Sequence, residues 1–434
     1  MRTGNKEKPH SELLSKLSSL GSGAVRQNFL SRHKALLRSE FVKQLAELVV
    51  EKIRVNTTDA MRVAEAALLI AQKLRRKEDL ALALRAKANA LYACGENRAA
   101  VVHHERAFRL FEELGERLQA GRTQSSSIQP LILLGEYERA FKAADQAREI
   151  FRDLGQTLRM ASLENNVGNI FHRQDRLEEA LAHYERAYQT LSEHGQWERV
   201  AISLHNMAMC LIGLNDFPRS LDCYQKARNL SERYGMPLLR DQADYNIAYL
   251  YYFRGEYSRA IEMLLATRRA CEVNGDAYHV ALCYMDLSEI YLELTLSEEA
   301  REMAREAFQR FEKLGMSYEA AKSLANEAIA CGQQGKTVQS LERFARAREM
   351  FQKEKNLVWP RLLDLYQGLL LFHEGRYFEA RKLCTAAAVF FDENVLPGKA
   401  ALAHLLLGRI ALQVGELATA ETETEVAISK LDLL

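Results

Sequence analysis

The sequence predicts an all-α solenoid of about ten helix-turn-helix units. Three observations predict it. A forty-residue period runs without a slip through nine units. Small residues recur at two fixed positions in every unit, where close helix packing needs them. Only six prolines occur among 434 residues, in a chain rich in Ala, Leu, Glu and Arg, all strong helix formers.

The turns carry the period most plainly. Gly95, Gly135, Asp175, Asn215, Gly255, Thr295, Gly335, Gly375 and Gly415 stand forty apart, mostly residues that suit a helix C-terminus or tight turn. Five positions on come Ala100, Ala140, Ala180, Ser220, Ala260, Ala300, Ser340, Ala380 and Ala420. Seven further come Ala107, Ala147, Ala187, Ala227, Thr267, Ala307, Ala347, Ala387 and Ala427. A second punctuation, Gly115, Gly155, Gly195, Gly235, Gly275 and Gly315, separates the units and lapses at Lys355. Each unit is therefore helix A, turn, helix B, turn. Ala60 and Ala67 hold the two small positions of a fainter unit, whose helix A is "SEFVKQLAELVVEK". This predicts turns near 55, 95, 135, 175, 215, 255, 295, 335, 375 and 415. One pair cannot bury its apolar side alone, so neighbours must stack.

The small-x6-small spacing in helix B has Gly, Ala or, once, Ser twelve residues before it (Ala88, Gly168, Ala208, Ala248, Ser288, Gly368, Gly408). Large residues follow three later: Leu91, Phe171, Leu211, Tyr251 and Tyr291. This pattern resembles the tetratricopeptide repeat over about residues 37–434. The resemblance implies a right-handed superhelical solenoid with a concave groove lined by the A helices. The forty-residue form is similar to the LGN-type adaptors and to the sensor arms of some bacterial regulators; "NVGN" at 166–169 is the nearest match to the adaptors' helix A. The texture of "RLFEELGERLQAGRT" and "REIFRDLGQTLRMAS" also resembles the bacterial tetratricopeptide-CHAT proteins, in which a caspase-like protease follows the repeats. No residue of this chain matches that protease's Cys/His pair.

One unit departs from the pattern. "TQSSSIQPLILLG" places Pro130 inside helix A, with Ile128 at the small position, so a kink that the helix absorbs is expected. Residues 1–36 carry no clear repeat and are expected to form a polar N-terminal segment with a capping helix at "SELLSKLSSLGSG". The first 60 residues hold 11 Lys/Arg against 6 Asp/Glu, a solvated surface without the aromatic interleaving of a nucleic-acid arm. The chain stops at "TETEVAISKLDLL", a helix B with an apolar end. Solenoids need a polar terminal cap. Self-association there, or a further C-terminal domain, is therefore expected.

Composition excludes several classes. A net charge of +1 gives no global field for nucleic acid or anionic membrane. No apolar stretch is long enough to span a bilayer, and "MRTGNKEKPH" has no apolar signal core behind it. Seven cysteines without a C-x-x-C pair suit a reducing cytoplasm. His103 and His104 are adjacent and diverge on a helix, and no metal-spaced cluster, phosphate loop or nucleophile motif occurs. The expectation is a non-enzymatic, cofactor-free cytoplasmic binding protein; catalysis by the chain itself is the contrasting class. Phe111, Phe151, Phe311 and Phe351 read as core wedges.

The candidate site rests on a column of poor helix formers. Asn166, Asn206, Asn246, Asp286 and Asn326 stand forty apart. Asn costs a helix somewhat over half a kcal/mol against Ala. Around "NNVGNIF", the residues Ser162, Asn166, Asn169 and Arg173 share one helix face, and Leu163, Val167, Ile170 and Phe171 another. His205, Tyr245, Tyr249, Tyr252 and Glu289 stand beside the column. Two readings remain open: each Asn bonds the neighbouring A helix and fixes stacking, or the amides meet the backbone of an extended ligand, to which they can both donate and accept. The second makes Asn166, Asn169, Arg173, His205, Asn206, Tyr245, Asn246, Tyr249, Tyr252, Asp286, Glu289 and Asn326 a peptide-binding set. The function expected is recognition of a protein or peptide segment, as the sensor arm of a larger bacterial protein such as a CHAT-type protease. The alternative is a free-standing receptor for a small signalling peptide.

Overall fold

The computed structural model describes residues 8–21, 23–53, 56–174, 176–353 and 356–432. The turn expected near 55, the turn residue Asp175, the lapse at Lys355 and the apolar stop at Leu433 and Leu434 lie outside these residues. The described secondary structure is helical throughout, and the chain divides into two units, Met1–Tyr234 and Gly235–Leu434.

The first unit opens with α1 (Lys8–Ser19) and α2 (Gly23–Arg32), followed by a short 3-10 turn, Lys34–Leu36. Five helix pairs follow: α3 (Ser39–Ile53) with α4 (Thr57–Leu74), α5 (Lys77–Ala93) with α6 (Asn97–Glu113), and α7 (Arg117–Leu133) with α8 (Tyr137–Asp153). Then come α9 (Thr157–Arg173) with α10 (Leu177–Glu193), and α11 (Trp197–Gly213) with α12 (Phe217–Arg233). The A helices are thus α3, α5, α7, α9 and α11. Leu14, Leu17, Leu30 and Leu36 bury the N-terminal segment in one core with Phe41, Leu45 and Ile70 of the first pair. The N-terminal segment therefore holds two helices, not one.

The second unit holds five more pairs: α13 (Pro237–Phe253) with α14 (Tyr257–Asn274), and α15 (Ala277–Glu293) with α16 (Ser297–Leu314). Next are α17 (Ser317–Gln333) with α18 (Thr337–Lys353), α19 (Val358–His373) with α20 (Tyr377–Glu393), and α21 (Pro397–Gln413) with α22 (Leu417–Leu431).

The small columns do what their spacing requires. Ala100, Ala140, Ala180, Ala260, Ala300 and Ala380 are fully buried where helix B meets its helix A. Serine replaces alanine at two of these sites without leaving a hydroxyl unpaired. Ser220 Oγ donates to the Ala208 carbonyl at 3.0 Å and Ser340 Oγ to the Ala328 carbonyl at 2.7 Å. Phe111, Phe151, Phe311 and Phe351 are buried wedges, as expected.

The turns close each pair in a repeated way. At the first, the Gly95 N–H donates to the Tyr92 carbonyl and the Glu96 N–H to the Leu91 carbonyl, both at 2.9 Å, with Gly95 at φ +79°. That is the paired closure of a helix C-terminus with a left-handed residue just past its end. Thr295 (φ 57°) and Val395 (φ 53°) take the same conformation despite their branched side chains. α7 runs unbroken through Pro130, so the proline does not end the helix.

Candidate functional site

In the first unit, the segment that opens the asparagine column ties four helices together. Asn166 Nδ2 donates to the Ser125 carbonyl at 3.2 Å and to Ser125 Oγ at 3.1 Å, reaching back to α7. Asn165 Nδ2 donates to Ser203 Oγ at 2.9 Å, reaching forward to α11. Asn169 Oδ1 accepts from Tyr184 Oη at 2.7 Å on α10. Gly168 explains how the Tyr184 ring gets there. A Cβ on Gly168 would come within 2.5 Å of Tyr184 Cε1, so only glycine lets the ring lie across α9. Burial holds the Tyr184 hydroxyl well above its usual pKa, so it is a fixed donor.

The other first-unit candidates are differently placed. Arg173 is exposed at the end of α9. The His205 ring meets Tyr224 edge-on at 5.6 Å. Asn206 is half-buried, and its side-chain amide makes no hydrogen bond with another described residue.

In the second unit, the candidates gather on the A helices α13, α15 and α17. Tyr245 Oη donates to Asp286 Oδ2 at 2.6 Å, joining α13 to α15. Asp286 is 3% exposed. Burial pushes its carboxyl from the usual 3.8 up to about 7; the charge of Glu289 pushes the same way, while the Tyr245 hydrogen bond and Lys322 oppose. Glu289, one turn on, is also raised by burial, with Lys322 opposing. Lys322 Nζ stands 4.0 Å from Glu289 Oε1. Asn326 Nδ2 donates to Ser288 Oγ at 2.9 Å, joining α17 to α15. Asn246 Nδ2 donates to the Gln242 carbonyl of its own helix at 2.7 Å.

A ring cluster borders these groups. Tyr249 lies 6.4 Å from Tyr245, 6.1 Å from Tyr252 and 4.9 Å from Phe253, between ring centroids. Burial, then the charges of Asp286 and Glu289, push the Tyr249 hydroxyl up to about 12. Tyr366 on α19 is raised by burial and by Glu289 and Glu293, which places it in the same acidic field. The patch therefore presents acceptors and hydroxyls between aromatic walls, with one ammonium at its edge.

The five column positions are thus not equivalent. Asn166 and Asn326 bond the preceding A helix, Asp286 accepts from it, and Asn246 bonds its own helix turn. Sequence reasoning missed Lys322 and Glu293. Lys322 stands four residues before Asn326, on its face, and that spacing was the available signal.

Among the described residues no group of three His, Cys, Asp or Glu could hold a metal ion. No described helix is long and apolar enough to cross a membrane. All seven cysteines are unpaired and six are buried.

Comparison with known proteins agrees with this architecture. A family profile described as a tetratricopeptide repeat matches residues 159–233. No curated protein sequence matches. Among solved structures, the apo quorum sensor NprR from B. thuringiensis is similar at TM-score 0.58 and 13% identity, over 83% of this chain and 99% of that one. A Rap protein complexed with Competence and Sporulation Factor is similar at TM-score 0.56 and 15% identity, over 82% and 98%. A signal-transduction ATPase with a tetratricopeptide repeat sensor, from Pyrococcus horikoshii, is similar at TM-score 0.59 and 13% identity, over 91% of this chain and 65% of that one. The chain has the helix-pair solenoid fold of these tetratricopeptide-like structures, with a forty-residue period, and its residues 159–233 match the tetratricopeptide repeat itself.

Proposed function

We propose that this chain binds an extended polypeptide segment along its A helices, as a recognition module and not through chemistry of its own. The observation that carries the reading is the second-unit patch. Tyr245, Asp286 and Glu289 put hydroxyl and carboxyl groups in a half-dry setting, walled by Tyr249, Tyr252 and Phe253, with Lys322 as the nearby cation. Tyr245 and the buried Asp286 meet each other, which leaves the half-buried Glu289 and the Tyr249 and Tyr252 hydroxyls beside Lys322 to meet a partner. The patch suits a donor side chain or N–H of a bound segment. In the first unit, Asn206 offers a half-buried amide without a hydrogen-bond partner among the described residues, fit for a ligand main chain.

The similar structures support this reading. A Rap conjugation regulator of plasmid pLS20, similar at TM-score 0.52 and 14% identity, is solved with the Phr* peptide. The role we favour is a sensor or regulatory arm of a larger bacterial protein, the CHAT-type protease being the effector that the repeat texture suggests. The Pyrococcus horikoshii ATPase, in which a tetratricopeptide repeat sensor belongs to a longer chain, supports that reading. A free-standing peptide receptor is the second reading. It is favoured because the match with the pLS20 regulator spans 95% of that chain.

Selection of short peptides on immobilised protein tests the proposal. Peptides should be retained by the wild type and lost by Asn206→Ala/Tyr249→Ala, with both proteins equally folded. Retention unchanged in that variant would remove the A-helix face from the reading.

A further inference from the structure

The last two pairs of the second unit carry the same polar motif with its charges exchanged. In α19, Asp364 accepts from Arg348 Nη2 of α18 at 2.6 Å and from Arg361 Nη1 of its own helix at 3.0 Å. A carboxylate on the A helix is thus held by guanidiniums. His404 stands forty residues on, at the same place in α21. There the A helix supplies the ring and the B helices supply the carboxylates. His404 Nδ1 lies 2.6 Å from Glu423 Oε2 on α22, and Nε2 lies 3.0 Å from Asp392 Oδ2 on α20. Lys430 Nζ, also on α22, pairs with Asp392 Oδ1 at 2.5 Å. One imidazole, 12% exposed, therefore ties three helices together.

The two motifs differ in what they can titrate. A guanidinium stays charged throughout the physiological range, so the Asp364 motif holds its bonds there. An imidazole with one proton has a single N–H, and its other nitrogen offers only a lone pair. Both His404 contacts are hydrogen bonds only when the ring carries two protons. Asp392 does not supply the second one. Burial works against its charge, but the bonds from Lys430 and His404 outweigh that and hold its carboxyl below the usual range. Asp392 faces the ring from α20, and Glu423 and Lys430 face it from α22. On α19, Asp364 is already engaged by Arg348 and Arg361. Apolar packing holds α22 less firmly than its neighbour. Only Ala427 of α22 is fully buried, against Ala380, Cys384, Ala387, Ala388 and Phe391 of α20.

We propose that His404 is a pH-sensitive latch on α22, closed when the ring carries two protons and released when it carries one. Loss of the proton turns one of the two bonds into a contact between lone pairs. The proton that remains serves either Glu423 or Asp392, not both. Lys430 still ties α22 to Asp392, so the release begins at the Glu423 half of the helix. The closed state binds one proton more than the released state. The hold on α22 is therefore full at low pH and is lost as pH rises and the ring gives up that proton. The latch is independent of what the A helices bind.

Backbone amide exchange in α22 of the full chain tests the latch. It is read at about pH 5.5 and about pH 8.5, on either side of the range in which histidine titrates, and corrected for intrinsic exchange. The helices α16 and α18 serve as references, so that titration elsewhere in the unit cancels. In the wild type, protection of α22 relative to the references should fall about tenfold or more at the higher pH. His404→Gln cannot take the charge, and its α22 should show the weaker protection at both pH values. Glu423→Gln places an amide before Nδ1 that can donate to it, so the ring is satisfied with one proton. In that variant the fall should shrink to about threefold or less. Equal protection of wild-type α22 at the two pH values, or a fall that persists undiminished in either variant, overturns the latch.

Discussion

Tyr245 Oη donates to Asp286 Oδ2 at 2.6 Å, and this bond links two neighbouring A helices across a buried carboxyl. The aspartate stands in the column with Asn166, Asn206, Asn246 and Asn326, whose side chains are all amides. It is the one that titrates.

A pH dependence follows from it. Asp286 is raised from the usual 3.8 to about 7, first by burial and then by Glu289. The folded protein therefore holds a proton that the unfolded chain releases above about pH 4. Stability contributed by this site is fully present below that pH, falls as pH rises towards 7, and is level above it. Asp286→Asn keeps an acceptor for Tyr245 and removes the titration. Melting temperatures should favour the variant at pH 8 and agree with wild type near pH 4. A difference independent of pH would show that the carboxyl does not hold its proton.

Gly168 allows a prediction in which only the sign matters. Helix propensity alone says Gly168→Ala should stabilise α9 by about 1 kcal/mol. The Tyr184 ring says otherwise, because the added Cβ would lie 2.5 Å from Cε1. Forcing that contact costs about 1 to 3 kcal/mol by overpacking. Denaturant unfolding should show a net loss, and a gain would mean that the ring moves aside freely.

Two turns place a β-branched residue in the left-handed conformation. Thr295 and Val395 hold φ 57° and 53°, where L-residues pay for the left-handed conformation. Thr295→Gly and Val395→Gly should each stabilise the protein by about 0.5 to 1 kcal/mol, the relief of strain exceeding the entropy of glycine. Unchanged unfolding midpoints in both would show the turns to be unstrained.

The asparagine column divides by neighbour, and so should its mutants. Asn166 holds Ser125 through two contacts, whereas the Asn206 side chain hydrogen-bonds to no described residue. Asn206→Ala should leave stability unchanged or raise it by about half a kcal/mol, the helix propensity difference. Asn166→Ala should be less stable than Asn206→Ala by about 1 kcal/mol. Equal effects would remove the distinction between mortar and ligand-facing amide.

The fold was largely legible in the sequence because the forty-residue period is physical. The buried alanines from Ala100 to Ala380 and the glycine turns each answer a packing or backbone demand within one pair. The site was less legible. The partners of the amides lie 41, 38 and 15 residues away, as in Asn166 with Ser125, Asn165 with Ser203 and Asn169 with Tyr184. Helix periodicity names a face but not the neighbour that meets it. Arg85 likewise meets Gln119 from 34 residues away. The division after Tyr234 has no sequence mark either, because Gly235 keeps the register of Gly195 and Gly275.

The central claim is that the A helices bind an extended polypeptide, and one measurement bears on it most directly. Backbone amide exchange would be recorded on the full chain with and without a peptide selected on the wild type, alongside its affinity for wild type and for Asn206→Ala/Tyr249→Ala. The account predicts slowed exchange in A helices such as α13 and α15 of the second unit, unchanged exchange at the exposed outer residues of the B helices, and an affinity at least about tenfold weaker in the variant. Protection confined to B helices, with equal affinity for both proteins, would contradict it.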